Sequence, residues 1–122
     1  MLAVLVGGGL GSLFRYILSG YSYRALGASF PWGTISVNMA GALIIGILWG
    51  VSEKITIHPD LRAFMFIGIL GGFTTFSTFM LESFTLMREG QLSLALMNIL
   101  LQNILGMFLV IGGFMATRYF FH

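Results

Sequence analysis

The chain has 122 residues, of which 57% are hydrophobic and 8% charged. Soluble domains carry about 25% charged residues, so the polar coat of a water-facing fold is missing and a soluble domain is excluded. Cysteine is absent, which removes disulfides, thiolate metal sites and cysteine nucleophiles, and the net charge of +2 comes from six scattered basic residues that form no nucleic-acid patch.

Four apolar runs stand out, each near the ~20 residues a bilayer crossing requires. They predict an all-α, polytopic membrane protein, a single transmembrane domain over residues 1–122 surrounded by lipid. The first run covers residues 2–20 and ends near Tyr21-Ser22-Tyr23-Arg24. It lacks the early Lys or Arg of a signal peptide and reads as a retained span. The second, residues 32–52, is entered through Phe30-Pro31-Trp32, with Pro31 suited to a first helical turn and Trp32 to the headgroup interface. The third, residues 62–87, lies between Pro59-Asp60 and Arg88-Glu89-Gly90, and the fourth, residues 93–118, ends in Arg118-Tyr119. Short connections predict antiparallel neighbours. His58 and His122, in a loop and at the C-terminus, read as solvated rather than as ligands.

Basic residues outside the spans divide almost evenly, with Lys54, Arg62 and Arg118 on one side and Arg24 and Arg88 on the other. So weak a bias fits insertion in both directions, and hence an antiparallel dimer of one sequence, or one dominant orientation that so coarse a count does not resolve. Small residues recur at four-residue intervals: Ala3, Gly7 and Gly11 in the first run, Thr34, Asn38, Ala42, Gly46 and Gly50 in the second, Gly112 and Ala116 in the fourth. Small faces let helix backbones approach closely in lipid.

The chemistry concentrates in Gly71-Gly72-Phe73-Thr74-Thr75-Phe76-Ser77-Thr78-Phe79, at the middle of the third run. Two glycines and two β-branched threonines are poor helix formers. Either the helix breaks there, with its freed backbone groups lining a cavity or holding an ion, or it continues with threonines bonded back to the preceding turn. A break would make the carbonyls around Gly71 and Thr74 available to a hard cation. Phe76 and Phe79, three apart, would then share nearly one face, where ring edges favour an anion, unless the pair is packing alone. Asn38, mid-way along the second run, either bridges helices or faces a substrate path. Arg15, about a turn from the expected end of the first helix, either snorkels or holds an anion at a pore mouth. Glu82 follows Phe79 on the same face and reads plainly as a cap on the polar end of the span. No nucleophile–base set or phosphate loop is present, so the chain is not expected to be an enzyme.

These pieces together resemble the Fluc, or CrcB-type, fluoride channels, over essentially the whole chain. The carrying motifs are Gly7-Gly8-x-x-Gly11-x-x-x-Arg15-Tyr16, then Phe30-Pro31-Trp32-Gly33-Thr34-x-x-x-Asn38-x-x-Gly41, then Gly71 to Phe79. The resemblance implies a dual-topology antiparallel dimer in which the third helix is broken at its midpoint. It implies a structural sodium ion at the dimer interface, held by backbone carbonyls at Gly71 and Thr74. It matches Phe76 and Phe79 to a phenylalanine box and Asn38 to a pore asparagine. Thr75, Ser77 and Thr78 join them on the fluoride pathway, and Arg15 and Glu82 become vestibule residues. The implied setting is the bacterial inner membrane, and the implied partners are fluoride and a second or related copy of the chain.

The fourth helix departs from the pattern. Where the family carries hydroxyls, this chain has Asn98, Gln102 and Gly106. Amides there either replace hydroxyl donors or disable a route, and the latter suits pairing with an unlike subunit. The expected activity is passive, fluoride-selective permeation that lowers cellular fluoride. The rivals are a four-helix multidrug exporter, which needs a deep carboxylate that the first helix lacks, and a non-conducting subunit of a heteromeric membrane complex.

Overall fold

A computed structural model describes residues 1–120 of the chain; His122 lies outside the described residues. Among these there are helices and no strands. In chain order they are α1 (Leu2–Leu26), α2 (Trp32–Ser52), α3 (Pro59–Arg62), a π-helical segment (Ala63–Leu70), α4 (Gly71–Phe73), α5 (Ser77–Arg88) and α6 (Leu92–Phe120). Four helical stretches are long and apolar enough to cross a membrane: α1, α2, Pro59–Arg88 and α6.

α1 runs six residues past the expected end at residue 20. Tyr21-Ser22-Tyr23-Arg24 resembles an interfacial exit in sequence, but two of its side chains are held by neighbouring helices. Ser22 is buried and donates to Ser36 Oγ at 3.0 Å, and Tyr23 donates to Glu82. Those bonds carry the helix to Gly27, whose positive φ of 89° stops it. Arg15 therefore sits close to the middle of its helix, not a turn from the end. At the start of α3, Pro59 occupies the first turn and His58 Nδ1 accepts the Asp60 N–H at 3.1 Å.

Lipid offers little hydrophobic force between helices, so close backbone approach does the joining. α1 lies along the π segment and α4, in parallel register. A Cβ on Gly7 would stand 2.6 Å from Phe64 O, one on Gly72 would stand 2.6 Å from Gly8 O, and one on Gly11 would strike Ile69 O. α2 and α6 also run in parallel register, with Gly46 against Val110 and Gly50 against Thr117. On α6 the small residues that pack are Gly113 and Thr117, rather than the expected Gly112 and Ala116, which are exposed. Gly113 meets Leu43 O, and Thr117 donates to Ile47 O at 3.2 Å, bonds that turn this face inward.

The third stretch passes from α to π and back to α, and leaves helical conformation after Phe73. Thr74 is extended (φ −81°, ψ 160°), and helix is assigned again from Ser77.

The glycine contacts are selective. Gly11→Ala should lower the stability of the detergent-solubilised protein by about 1–3 kcal/mol, the usual penalty of overpacking. Gly9→Ala, where nothing lies within 4 Å of an added Cβ, should leave the thermal unfolding midpoint unchanged. Equal midpoints for the two variants would refute this packing.

Candidate ion pathway

The pathway is built around one displaced backbone hydrogen. In a continuous helix Thr75 N–H would bond Gly71 O. Here it donates to Asn38 Oδ1 at 2.8 Å, while Asn38 Nδ2 donates to Thr75 O at 3.0 Å. One amide thus satisfies both polar groups of a non-helical residue at membrane depth, which lipid alone does not permit. Thr74 stays tied to the preceding turn, its N–H and its hydroxyl both donating to Leu70 O, at 3.1 and 3.0 Å. Ahead of α5, Thr75 Oγ1 accepts Thr78 N–H at 3.2 Å. Among the described residues no backbone N–H bonds Gly71 O or Thr74 O. Neutral carbonyl oxygens without a donor are what a hard cation coordinates, so both positions fit a sodium ligand set. No cluster of three His, Cys, Asp or Glu occurs among the described residues.

From Asn38 a line of side-chain hydrogen bonds continues across the bundle. Asn38 Nδ2 donates to Gln102 Oε1 at 2.8 Å, Gln102 Nε2 to Asn98 Oδ1 at 2.8 Å, and Asn98 Nδ2 to Ser83 Oγ at 2.9 Å. Ser83 ends the line by donating to Phe79 O at 2.9 Å. Asn98 is completely buried and Gln102 nearly so. Asn38 and Gln102 face an open groove of about 470 Å³, together with Thr74, Thr75, Phe76 and Phe79. The two phenylalanine rings stand edge to face, 6.0 Å apart at 74°. Phe79 is buried, whereas Phe76 is 72% exposed and projects away from the chain.

A second hollow, of about 410 Å³, also reaches Thr75. Arg15, Ser12, Tyr23, Thr34 and Thr78 contribute to its wall. Arg15 forms no ion pair among the described residues, so its charge is available to the hollow. Glu82 is not the helix-end cap that its sequence position suggests. Its carboxylate accepts hydrogen bonds from Tyr23 and from Thr34, joining α5 to α1 and α2.

Sequence positions converge accordingly. Asn38, Gly71, Thr74, Thr75, Phe76, Phe79 and Gln102 border the groove. Arg15, Thr75 and Thr78 border the hollow, and Glu82 stands behind its Tyr23 and Thr34 wall. Asn98 reaches neither cavity directly, and Ser77, exposed at the start of α5, borders neither. Sequence reasoning passed over Tyr23 and Ser83. Tyr23 was assigned to a connection, and Ser83 carries no signal beyond following Glu82.

Comparison with known proteins places nearly the whole chain in one family. Residues 2–114 match the family described as CrcB-like protein, Camphor Resistance (CrcB). The chain belongs to the CrcB-like family. A relative from Parabacteroides distasonis named fluoride-specific ion channel FluC is 42% identical over 115 residues, covering 94% of this chain and 90% of the relative. A protein of the same name from Maridesulfovibrio salexigens is 42% identical over 118 residues, covering 96% and 94%. Another from Magnetococcus marinus is 46% identical over 98 residues, covering 80% of each chain. With its four apolar helices, this CrcB-like chain is a multi-pass membrane protein.

Removing the Asn38 amide should let the helix close. In Asn38→Leu, Thr75 N–H loses its acceptor and returns to Gly71 O. Backbone chemical shifts of Thr74 and Thr75 should move from extended to helical values. Three side-chain bonds at about 1 kcal/mol each are lost. Unchanged extended shifts would show that Asn38 does not hold this conformation.

Proposed function

We propose that this chain is a fluoride channel: a passive, fluoride-selective path that lets the ion leave a cell and so lowers its internal concentration. The observation that carries the reading is the meeting of Asn38, the extended Thr74–Thr75 segment, Phe76, Phe79 and Gln102 in one groove, in a chain whose relatives are named fluoride-specific channels. Fluoride is small and strongly hydrated, so a path through the membrane has to replace much of its water. Hydroxyl and amide hydrogens supply donors, and aromatic ring edges supply a weaker positive field.

The roles follow from position. Arg15 gathers anions in the hollow, where Thr75 and Thr78 offer hydroxyls. Glu82, engaged by two hydroxyl donors, shapes the wall without presenting a bare carboxylate to the ion. Thr75 borders both the hollow and the groove, and passes the ion toward Phe76, Phe79 and Gln102. Ser77 lies at the exposed start of α5, where a covering subunit would bring it to the path.

The working unit is an antiparallel dimer of two copies inserted in opposite directions, in the bacterial inner membrane. Three features support it. The groove is open on one side, Phe76 projects out of the chain, and the basic residues favour neither side strongly. The third helix of each copy is broken at Thr74–Phe76, and the two breaks face one another. Gly71 and Thr74 carbonyls from both copies would then hold a structural sodium ion, since two oxygens from one chain are too few to replace a cation's water. The bound charge would tie the two broken helices together.

Purified protein in liposomes, followed with a fluoride electrode, tests the function. Wild-type protein should release fluoride and retain chloride. Phe79→Ile should slow fluoride efflux by about tenfold, the scale of one aromatic-edge contact. Folded wild-type protein without fluoride efflux overturns the homodimeric channel, and rescue by a related subunit would assign conduction to an unlike pair. For the assembly, Phe76→Cys should cross-link two copies in membranes; a chain that stays monomeric under the same treatment refutes the dimer.

A further inference from the structure

The line of amides has a direction, and its two ends determine it. The oxygen and nitrogen of an amide have nearly the same outline, so direction has to come from partners that can only donate or only accept. Thr75 supplies both kinds at once. Its backbone N–H only donates and its carbonyl only accepts, and both meet Asn38. Asn38 is therefore pinned with Oδ1 toward the N–H and Nδ2 toward the carbonyl. Its second Nδ2 hydrogen points to Gln102, which has to present Oε1. Gln102 then presents Nε2 to Asn98, which has to answer with Oδ1 and pass Nδ2 on to Ser83. The far end agrees independently. Phe79 O only accepts, so the Ser83 hydrogen goes there and Ser83 Oγ is left as an acceptor.

With the direction known, the remaining donors can be located. The three amides hold six N–H bonds. Asn38 uses both of its hydrogens, and Gln102 and Asn98 use one each. One hydrogen therefore remains on Asn98 and one on Gln102. Asn98 is 0% exposed and does not border the groove, whereas Gln102 does. Asn103 also borders the groove with one hydrogen free, but it is exposed, bonds only Ile99 O of its own helix, and has no partner that fixes its direction. Resting on the channel reading above, we infer that Gln102 is the amide of this line that donates to the anion in this groove, and that Asn38 and Asn98 are positioning residues that aim it. Asn38 borders the same groove but has no hydrogen left to give.

The chain contains only two glutamines, Gln91 and Gln102, and three asparagines, Asn38, Asn98 and Asn103. Side-chain amide resonances of the full-length protein, selectively labelled at Asn and Gln, are therefore few enough to assign by single substitution. Titration with sodium fluoride should shift one of the two Gln102 amide protons saturably and leave the Asn38 pair in place. Sodium chloride at equal concentration should shift neither. Movement of the Asn38 pair with Gln102 silent overturns the assignment, as does silence of both in protein that conducts fluoride. Asn98→Leu releases the Gln102 hydrogen that Asn98 holds, so both Gln102 protons should then respond; an unchanged one-proton response removes the positioning role of Asn98. Gln102→Met, similar in length but without a donor, should reduce fluoride efflux by about tenfold or more, the effect of losing one hydrogen bond to a charged group. Vesicles with wild-type protein and no efflux would overturn the channel reading, while the titration still decides the amide assignment.

Discussion

One backbone hydrogen bond governs this structure, because Thr75 N–H turns to Asn38 and leaves Gly71 O without it. An unpaired backbone group in hydrocarbon costs several kcal/mol, so a membrane helix opens at lower cost where another group answers for bonds it loses. Asn38 answers twice, with its oxygen and its nitrogen, to the same residue. Everything distinctive about the third stretch follows. The Gly71 oxygen stands free, Thr75 Oγ1 becomes the acceptor for the next helix, and Thr75 reaches both cavities.

The two cavities differ in chemistry because different helices wall them. The hollow takes the middle of α1 and the start of α2, and so receives a guanidinium and several hydroxyls. The groove takes α2, the third stretch and α6, and is mostly apolar except for its amides. On the proposed channel reading, the first setting would draw an anion and the second would strip it of water. Hydrogen bonds strengthen as the surroundings become less polar, so a small number of donors suffices where apolar walls exclude water. Glu82 would oppose this if its charge faced the hollow, but Tyr23 and Thr34 engage both of its oxygens.

Much of this was legible in the sequence. Gly7 and Gly11 on one face, Asn38 among small residues, and the Gly-Gly-Phe-Thr-Thr run all point to features the fold contains, since each departs from a plain apolar helix. The end of α1 was not legible, because Tyr21 to Arg24 has the composition of an interface, and only contacts from Ser36 and Glu82 keep it helical. The packing face of α6 was misplaced by one residue, Gly113 and Thr117 for Gly112 and Ala116. A 29-residue helix carrying apolar residues all round gives little periodicity from which to read a face. Asn98 and Gln102 stood out as amides, but which of their hydrogens remain available depends on Ser83 and Thr75, residues far apart in sequence.

The polar line also has a mechanical consequence. α5 begins shortly after the extended Thr74 and is only 12 residues long, too short to be stable by itself. Lipid adds no hydrophobic drive to hold it. Its polar anchors lie on two sides: Glu82 bonded to α1 and α2, and Ser83 bonded to Asn98 of α6. The second anchor is the end of the same amide line that begins at Thr75. The bonds that aim donors into the groove are therefore also bonds that keep the half-helix carrying Phe79 in place. A hydroxyl can rotate to follow a moving partner, whereas an amide in such a line cannot turn without reversing its neighbours. Amides on α6 therefore make this route stiffer than hydroxyls would, and couple the position of Phe79 to the orientation of Gln102.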